Sequence, residues 1–174
     1  MTVPTTKENE PQCPEYALRT HRAGDMGWIT HRHAVLYEAE QGWGTKMEAL
    51  VSKVSHDFLD NYDASCERCW IAERKNEFLG CIVLVRDRDA VQMAKLRLLL
   101  VEPSARGLGL GRALIEQCTR FARETGYVRI RLWTQSVLVS ARRLYAKEGY
   151  RLVSSEKHSA FGEVHVGECW ELDL

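Results

Sequence analysis

The segment of this sequence whose residue types and spacing best fit chemistry is Arg106-Gly-Leu-Gly-Leu-Gly-Arg112. Glycines let a backbone come close to a ligand, and successive N–H groups at a helix start carry partial positive charge. An anionic phosphate or pyrophosphate suits such a turn, with Arg112 able to add a fully charged donor. Two nucleotide signatures fail here. A Walker A loop ends in Gly-Lys-Ser/Thr, whereas Gly111 is followed by Arg-Ala. A dinucleotide fingerprint needs G-x-G-x-x-G; counted from Gly107 the last place is Arg112, and counted from Gly109 it is Leu114. The plainer alternative is a glycine-rich helix entry that holds no ligand.

Other reactive side chains are scattered. Ile29, His33, Leu36, Tyr37 and Glu40 fall at helical spacing on one face, so His33 and Glu40 share the stripe that should face a sheet or cleft. A histidine that titrates near neutrality suits a base, and a hydrogen-bonded structural histidine is the alternative. Glu102, at a strand end, is a further carboxylate, read more simply as a solvated or helix-dipole partner. Trp28, Tyr37, Trp43 and Trp133 are either walls of a pocket or core. Cys66 and Cys69 form a C-x-x-C, but no second pair or suitably spaced histidines complete a zinc set, and the segment leads into a strand. They are read as ordinary thiols, and no metal is expected.

These residues need elements to hold them. Tyr16 to Thr20 reads as a short strand, and a helix follows from Asp25, as N-cap, to about Gln41. Thr45 and Glu48 form a capping box ahead of a second helix whose apolar face is Met47, Leu50, Val51, Val54, Phe58 and Leu59. Strands are expected at 69–72 and 78–85 around a polar turn at 74–77, and at 94–101. A helix over 109–125 is closed by Gly126, a strand covers 128–134, and a helix over 139–148 is closed by Gly149. Strands at 150–153 and about 165–172 complete the order. Hairpins mixed with crossovers predict an α/β domain with a mixed sheet covered by helices.

The totals exclude several classes. With 24 basic and 24 acidic side chains in 174 residues, the net charge is zero, which speaks against nucleic acid as a partner. No run approaches the roughly 18 apolar residues that span a bilayer, so no membrane role is expected. Residues 1–14 read as a disordered leader without a secretory layout, and 15–174 as one domain in the cytoplasm.

Two blocks then resemble a known family. LLLVEPSARGLGLGRAL is similar to motif A of the GNAT family of N-acetyltransferases, with Arg106, Gly109 and Gly111 in the Arg/Gln-x-x-Gly-x-Gly/Ala places. ARRLYAKEGYRLV resembles motif B, with Ala141, Tyr145, Gly149 and Tyr150 in its signature places. The likeness is firm from 94 to 153 and looser over the rest of 15–174. Residues 21–43 also resemble the acetyltransferase half of bacterial proteins that fuse a MarR-type DNA-binding domain to this fold, although no winged-helix segment is read here.

The resemblance implies a mostly antiparallel central sheet of about six to seven strands flanked by about four helices. It implies acetyl-coenzyme A as cosubstrate, held at its pyrophosphate by Arg106, Gly107, Leu108, Gly109, Leu110, Gly111 and Arg112. Main-chain groups of Leu99, Leu100 and Val101 are implied to pair with the pantetheine arm. Tyr145 matches the tyrosine that commonly protonates the departing thiolate. The amine is implied to attack directly in a ternary complex, and His33 and Glu40 are the candidates for its base. The family's asparagine three places before the motif-B alanine is Leu138 here, so Gln135, Ser136 or Ser140 would have to replace that contact. A small-molecule amine is the expected acceptor, with a protein N-terminus or lysine as the alternative. A coenzyme A-binding regulatory module without catalysis is the alternative of another class. The family's habit of pairing through its sheets makes a homodimer an expectation.

Overall fold

Alternation of side chains along two long strands organises this fold. In the computed structural model, which describes residues 16–174, Cys69 and Ile71 of β2 (Arg68–Arg74) and Cys81 and Val83 of β3 (Glu77–Arg86) point to one face. Trp70, Ala72, Ile82 and Leu84 point to the other. Both faces are therefore apolar and both must be covered by helices. The leader expected over 1–14 lies outside the described residues.

The first face is covered by α1 (Asp25–Gln41) and α2 (Gly44–Asn61), which bring Met26, Ile29, Leu36 and Phe58 to it. The second is covered by α3 (Leu110–Glu124), whose Leu110, Leu114, Ile115, Cys118 and Ala122 join the larger core. β1 (Ala17–Thr20), β4 (Met93–Val101), β5 (Arg129–Gln135), α4 (Val139–Lys147), β6 (Arg151–His158) and β7 (His165–Asp173) complete the described elements. The seven-stranded sheet runs β1-β2-β3-β4-β5-β7-β6, and only the β4–β5 pair is parallel. This is the mixed, mostly antiparallel sheet with four covering helices that the sequence led us to expect.

Several local expectations are corrected. Gly24, not Asp25, precedes the first helical residue, and Asp25 instead accepts from the Arg22 N–H at 2.6 Å and pairs with Arg19 at 2.6 Å. A guanidinium 2.6 Å away outcompetes a local cap. The capping box does not form either, because α2 starts at Gly44 and Thr45 sits inside its first turn. Trp43, stacked between Tyr37 and Phe161 with centroids at 5.2 and 4.5 Å, fixes the helix entry ahead of Thr45. β6 extends to His158 rather than Val153, since its pairing with β7 comes from the backbone although most of its side chains are exposed. The turn at 74–77 does form, with Lys75 and Asn76 at φ of 52° and 65°, the twist that a tight hairpin needs.

Two irregularities shape the sheet at the end of β4. β4 pairs with β5 only from Met93–Leu96 to Arg129–Leu132. Beyond Leu96 the parallel strands have no mutual register, while β5 keeps its ladder with β7 to Gln135, so a cleft opens between the β4 and β5 ends. β4 is also bulged: Leu98 and Leu99 stand opposite Ile82, and Leu98 has a φ of 49°. Gly80 makes room for this distortion, because a β-carbon there would stand 2.5 Å from the Leu100 carbonyl.

Candidate active site

The cleft is flanked by the glycine-rich turn. After β4, the Glu102 N–H donates to the Leu79 carbonyl at 2.9 Å, and a short 3-10 turn, Pro103–Ala105, redirects the chain. Gly107 and Gly109 then take positive φ of 81° and 74°, conformations that a β-carbon disfavours. α3 begins at Leu110, one residue later than expected, with Gly109 in the capping place. Among the described residues, the main-chain N–H groups from Gly107 to Arg112 find no protein acceptor outside the helix pattern, and the first capping bond runs from Ala113 to Gly109 at 3.1 Å. Free donors at the start of a long helix are an anion-binding arrangement. The loop therefore fits a phosphate on its own chemistry. Gly111 serves packing instead, since a β-carbon there would meet Leu144 at 2.9 Å, and its absence lets α3 and α4 approach closely.

The arginines of the turn are already engaged. Arg106 donates to Glu40 at 2.6 Å, and Arg112 to Glu116 at 2.8 Å with Glu148 at 3.5 Å. Glu40 therefore tethers the loop to the end of α1. Glu102 is nearly buried and receives two parallel bonds from Arg32, at 2.6 and 2.8 Å, tying the loop's start to the middle of α1.

Tyr145 lies on α4, which Arg142 locks to β7 through a 2.8 Å bond to Glu168; Trp170 shares that carboxylate at 2.9 Å. The tyrosine is buried, 6% exposed, with its ring 5.8 Å from that of Tyr150. Burial, and then the neighbouring Tyr37 phenol, push its hydroxyl well above the ordinary 10.0. Tyr37 is itself pushed up to about 12 by burial and then Glu40. Both phenols thus stay protonated across the physiological range.

His33 faces inward, as its spacing predicted, and it is committed to structure. Its Nδ1 lies 2.8 Å from the Ile29 carbonyl, so that nitrogen carries the proton in the neutral ring. Burial holds its pKa down to about 4 from the ordinary 6.5. The unfolded chain therefore binds a proton that the folded chain refuses, and the stability linked to His33 is lost as pH falls from about 6.5 towards 4. A shift of that size is worth on the order of 3 kcal/mol. Chemical denaturation across this window should show the loss in the wild type, and His33→Gln should flatten it; an equal slope in both would exclude His33 as its source.

The four aromatics read as pocket walls divide. Tyr37 and Trp43 stack at the head of α2, beside Leu98 of the bulge and Leu138. Trp133 shares the face of β5 that carries Gln135 and stands near His158, 5.2 Å between ring centroids. Trp28 is 48% exposed and packs on His31, near the ion pairs of Arg19 and Arg32, so it belongs elsewhere. Phe161 was missed by sequence reasoning, because its loop joins the site only through the β6–β7 hairpin; it stacks on Trp43 at 4.5 Å. Of the candidates for the missing asparagine, Gln135 is buried and bonded to His158 at 2.8 Å. Cys66 and Cys69 are free thiols, and no cluster suited to a metal occurs among the described residues. No helix among those residues is long and apolar enough to cross a membrane.

Residues 32–150 match the model of the acetyltransferase (GNAT) family. The chain is 28% identical over 122 residues to human N-acetyltransferase 8B, covering 68% of this chain and 54% of that protein. It is 29% identical over 156 residues to a mycothiol acetyltransferase from Sanguibacter keddieii, covering 86% and 48% respectively. The chain thus spans about half the length of the curated relatives it matches. A putative streptothricin acetyltransferase from Bacillus anthracis, solved in complex with acetyl coenzyme A, superimposes with a TM-score of 0.59. That pair is 26% identical over 67% of this chain and 68% of the other.

Proposed function

The chain belongs to the acetyltransferase (GNAT) family, and on that premise we propose that it transfers an acetyl group from acetyl-coenzyme A directly to a primary amine of a small molecule. The observation that carries this reading is the run of free N–H donors from Gly107 to Arg112 beside the β4–β5 cleft. A pyrophosphate fits the donors, and an extended arm fits the unpaired edge of β4 at Leu99, Leu100 and Val101. In this reading Arg106 acts mainly through Glu40, by holding the loop in shape, and Arg112 adds charge at the helix start.

The chemistry balances without a protein nucleophile. The amine nitrogen bonds to the acetyl carbonyl carbon as the C–S bond breaks, and the nitrogen gives up one proton. Main-chain N–H groups at the bulge serve the charge that develops on the carbonyl oxygen. The Tyr145 phenol meets the leaving sulfur and supplies its proton or a strong hydrogen bond. The burial that makes the phenol a weaker acid also makes a thiolate in the same dry site a stronger base. His33 is too weakly basic, and Glu40 too engaged with Arg106, to be favoured as the amine's base; an amine that arrives neutral, losing its proton to solvent, needs neither. A reducing compartment such as the cytoplasm suits the free thiols.

Calorimetric titration of the purified protein with acetyl-coenzyme A, with ATP and NAD as controls, tests the reading. Saturable binding of acetyl-coenzyme A alone is expected, and release of free coenzyme A thiol with an amine panel then follows turnover. A folded, ligand-free sample that fails to bind overturns the enzyme reading. Binding with no turnover of any amine supports the non-catalytic module instead.

A further inference from the structure

Two buried hydrogen-bond donors beside the cleft have no partner. The Trp43 indole N–H and the Gln135 side-chain amide nitrogen are both shielded from solvent and unpaired, in residues 3% and 2% exposed. An orphaned buried donor costs roughly 1–3 kcal/mol, so two around one cluster call for an acceptor.

The orientation of Gln135 follows from its neighbour. The Ala160 N–H donates to His158 Nδ1 at 3.2 Å, so that nitrogen holds the lone pair and the ring proton lies on Nε2. Nε2 then donates to Gln135 Oε1 at 2.8 Å. The amide oxygen is occupied, and the end left free is the NH2 group. Trp43 offers only a donor in any orientation.

The two groups share one aromatic cluster. Trp43 stacks on Phe161 and meets His165 edge-on at 5.6 Å, while Phe161 meets the His158 ring that holds Gln135 at 5.8 Å. Lys46 brings a positive charge to the same loop, with Nζ 3.3 Å from where a Gly162 β-carbon would stand. Leu98 of the β4 bulge and Leu138 pack against this cluster, and Gln135 ends β5 on the open side of the cleft.

We propose that Trp43, Gln135 and the β6–β7 loop form a carboxylate-binding subsite, and that the acceptor is a small amine carrying a carboxylate, of the amino-acid class. This rests on the acetyltransferase reading above. Donors with no acceptor among them reject an ammonium or a guanidinium and take an anion. A protein lysine brings no carboxylate near its amine, whereas a free amino acid does. The aromatic rings wall the rest of the acceptor.

The test sets each of a series of free amino acids against its carboxamide and its decarboxylated amine. Turnover is followed by thiol release with acetyl-coenzyme A, and binding by calorimetry with and without coenzyme A. The carboxylate form should be preferred on the order of tenfold to a hundredfold in kcat/KM and in affinity. Trp43→Phe keeps a stacking ring without the N–H and should pull that ratio towards one, with acetyl-coenzyme A affinity measured in parallel. Equal handling of the three forms overturns the subsite, as does a ratio unmoved in folded Trp43→Phe; either means that no carboxylate meets these donors. A protein that binds acetyl-coenzyme A but no amino acid overturns the subsite and leaves the cofactor reading standing. Loss of acetyl-coenzyme A binding itself strikes the enzyme reading, and the titrations without coenzyme still read the subsite.

Discussion

Tyr145→Phe is expected to lower kcat about a hundredfold while changing acetyl-coenzyme A affinity by no more than about threefold. The substitution removes one oxygen from a side chain that is 6% exposed and otherwise packed in the main core with Tyr150. Ring packing survives, and no hydrogen bond to the phenol occurs among the described residues, so the melting temperature should hold. What is lost, on the proposed mechanism, is the proton donor to the leaving sulfur. The phenol's raised pKa puts its own ionisation above the ordinary tyrosine value of 10.0, so a wild-type alkaline limb from this group should not appear below that pH. Single-turnover rates and a coenzyme titration on the same preparation separate chemistry from binding. An unchanged kcat would remove Tyr145 from the reaction, and a parallel collapse of affinity would make it a binding residue instead.

How much of this was legible beforehand depends on the range of the interaction. The turn at Gly107 and Gly109 was readable because positive φ leaves a mark in residue type, and the element order was readable because burial on two sheet faces imposes period two. The inward face of α1 was legible as well, and His33 does lie on it. Pairings between distant residues were not. Nothing local to Glu40 announces Arg106, 66 positions away, and nothing local to Gln135 announces His158, 23 positions away. Local capping rules failed at Asp25 and Thr45 because Arg19 and the Trp43 stack supply stronger tertiary contacts. The cleft itself was invisible, since it arises where β4 and β5 stop pairing after Leu96 and no residue type encodes a divergence. Motif resemblance pointed to the glycine turn and Tyr145, while the proposed acceptor side, drawn from α2, β5 and the β6–β7 loop, carries no short-range pattern.

Gly109→Asp is expected to separate folding from function in opposite directions. Gly109 has a φ of 74°, and no heavy atom stands within 4 Å of where its β-carbon would be, so an added side chain meets space rather than protein. Aspartate and asparagine tolerate this backbone region better than other non-glycine residues. A carboxylate at the start of α3 also interacts favourably with the helix dipole, by about 0.3–1 kcal/mol, which offsets the backbone cost. The melting temperature without ligand should therefore stay near the wild-type value. The same negative charge would face the phosphate groups that the free N–H donors attract. Repulsion of a few kcal/mol at such range implies a loss of acetyl-coenzyme A affinity on the order of a hundredfold. Gly109→Asn has nearly the same shape without the charge and should lose less than about tenfold. Calorimetry on the three proteins, paired with thermal denaturation, decides the point. A normal affinity in the aspartate variant would move the pyrophosphate away from this turn, and an equal loss in both variants would make shape, rather than charge, the basis of recognition.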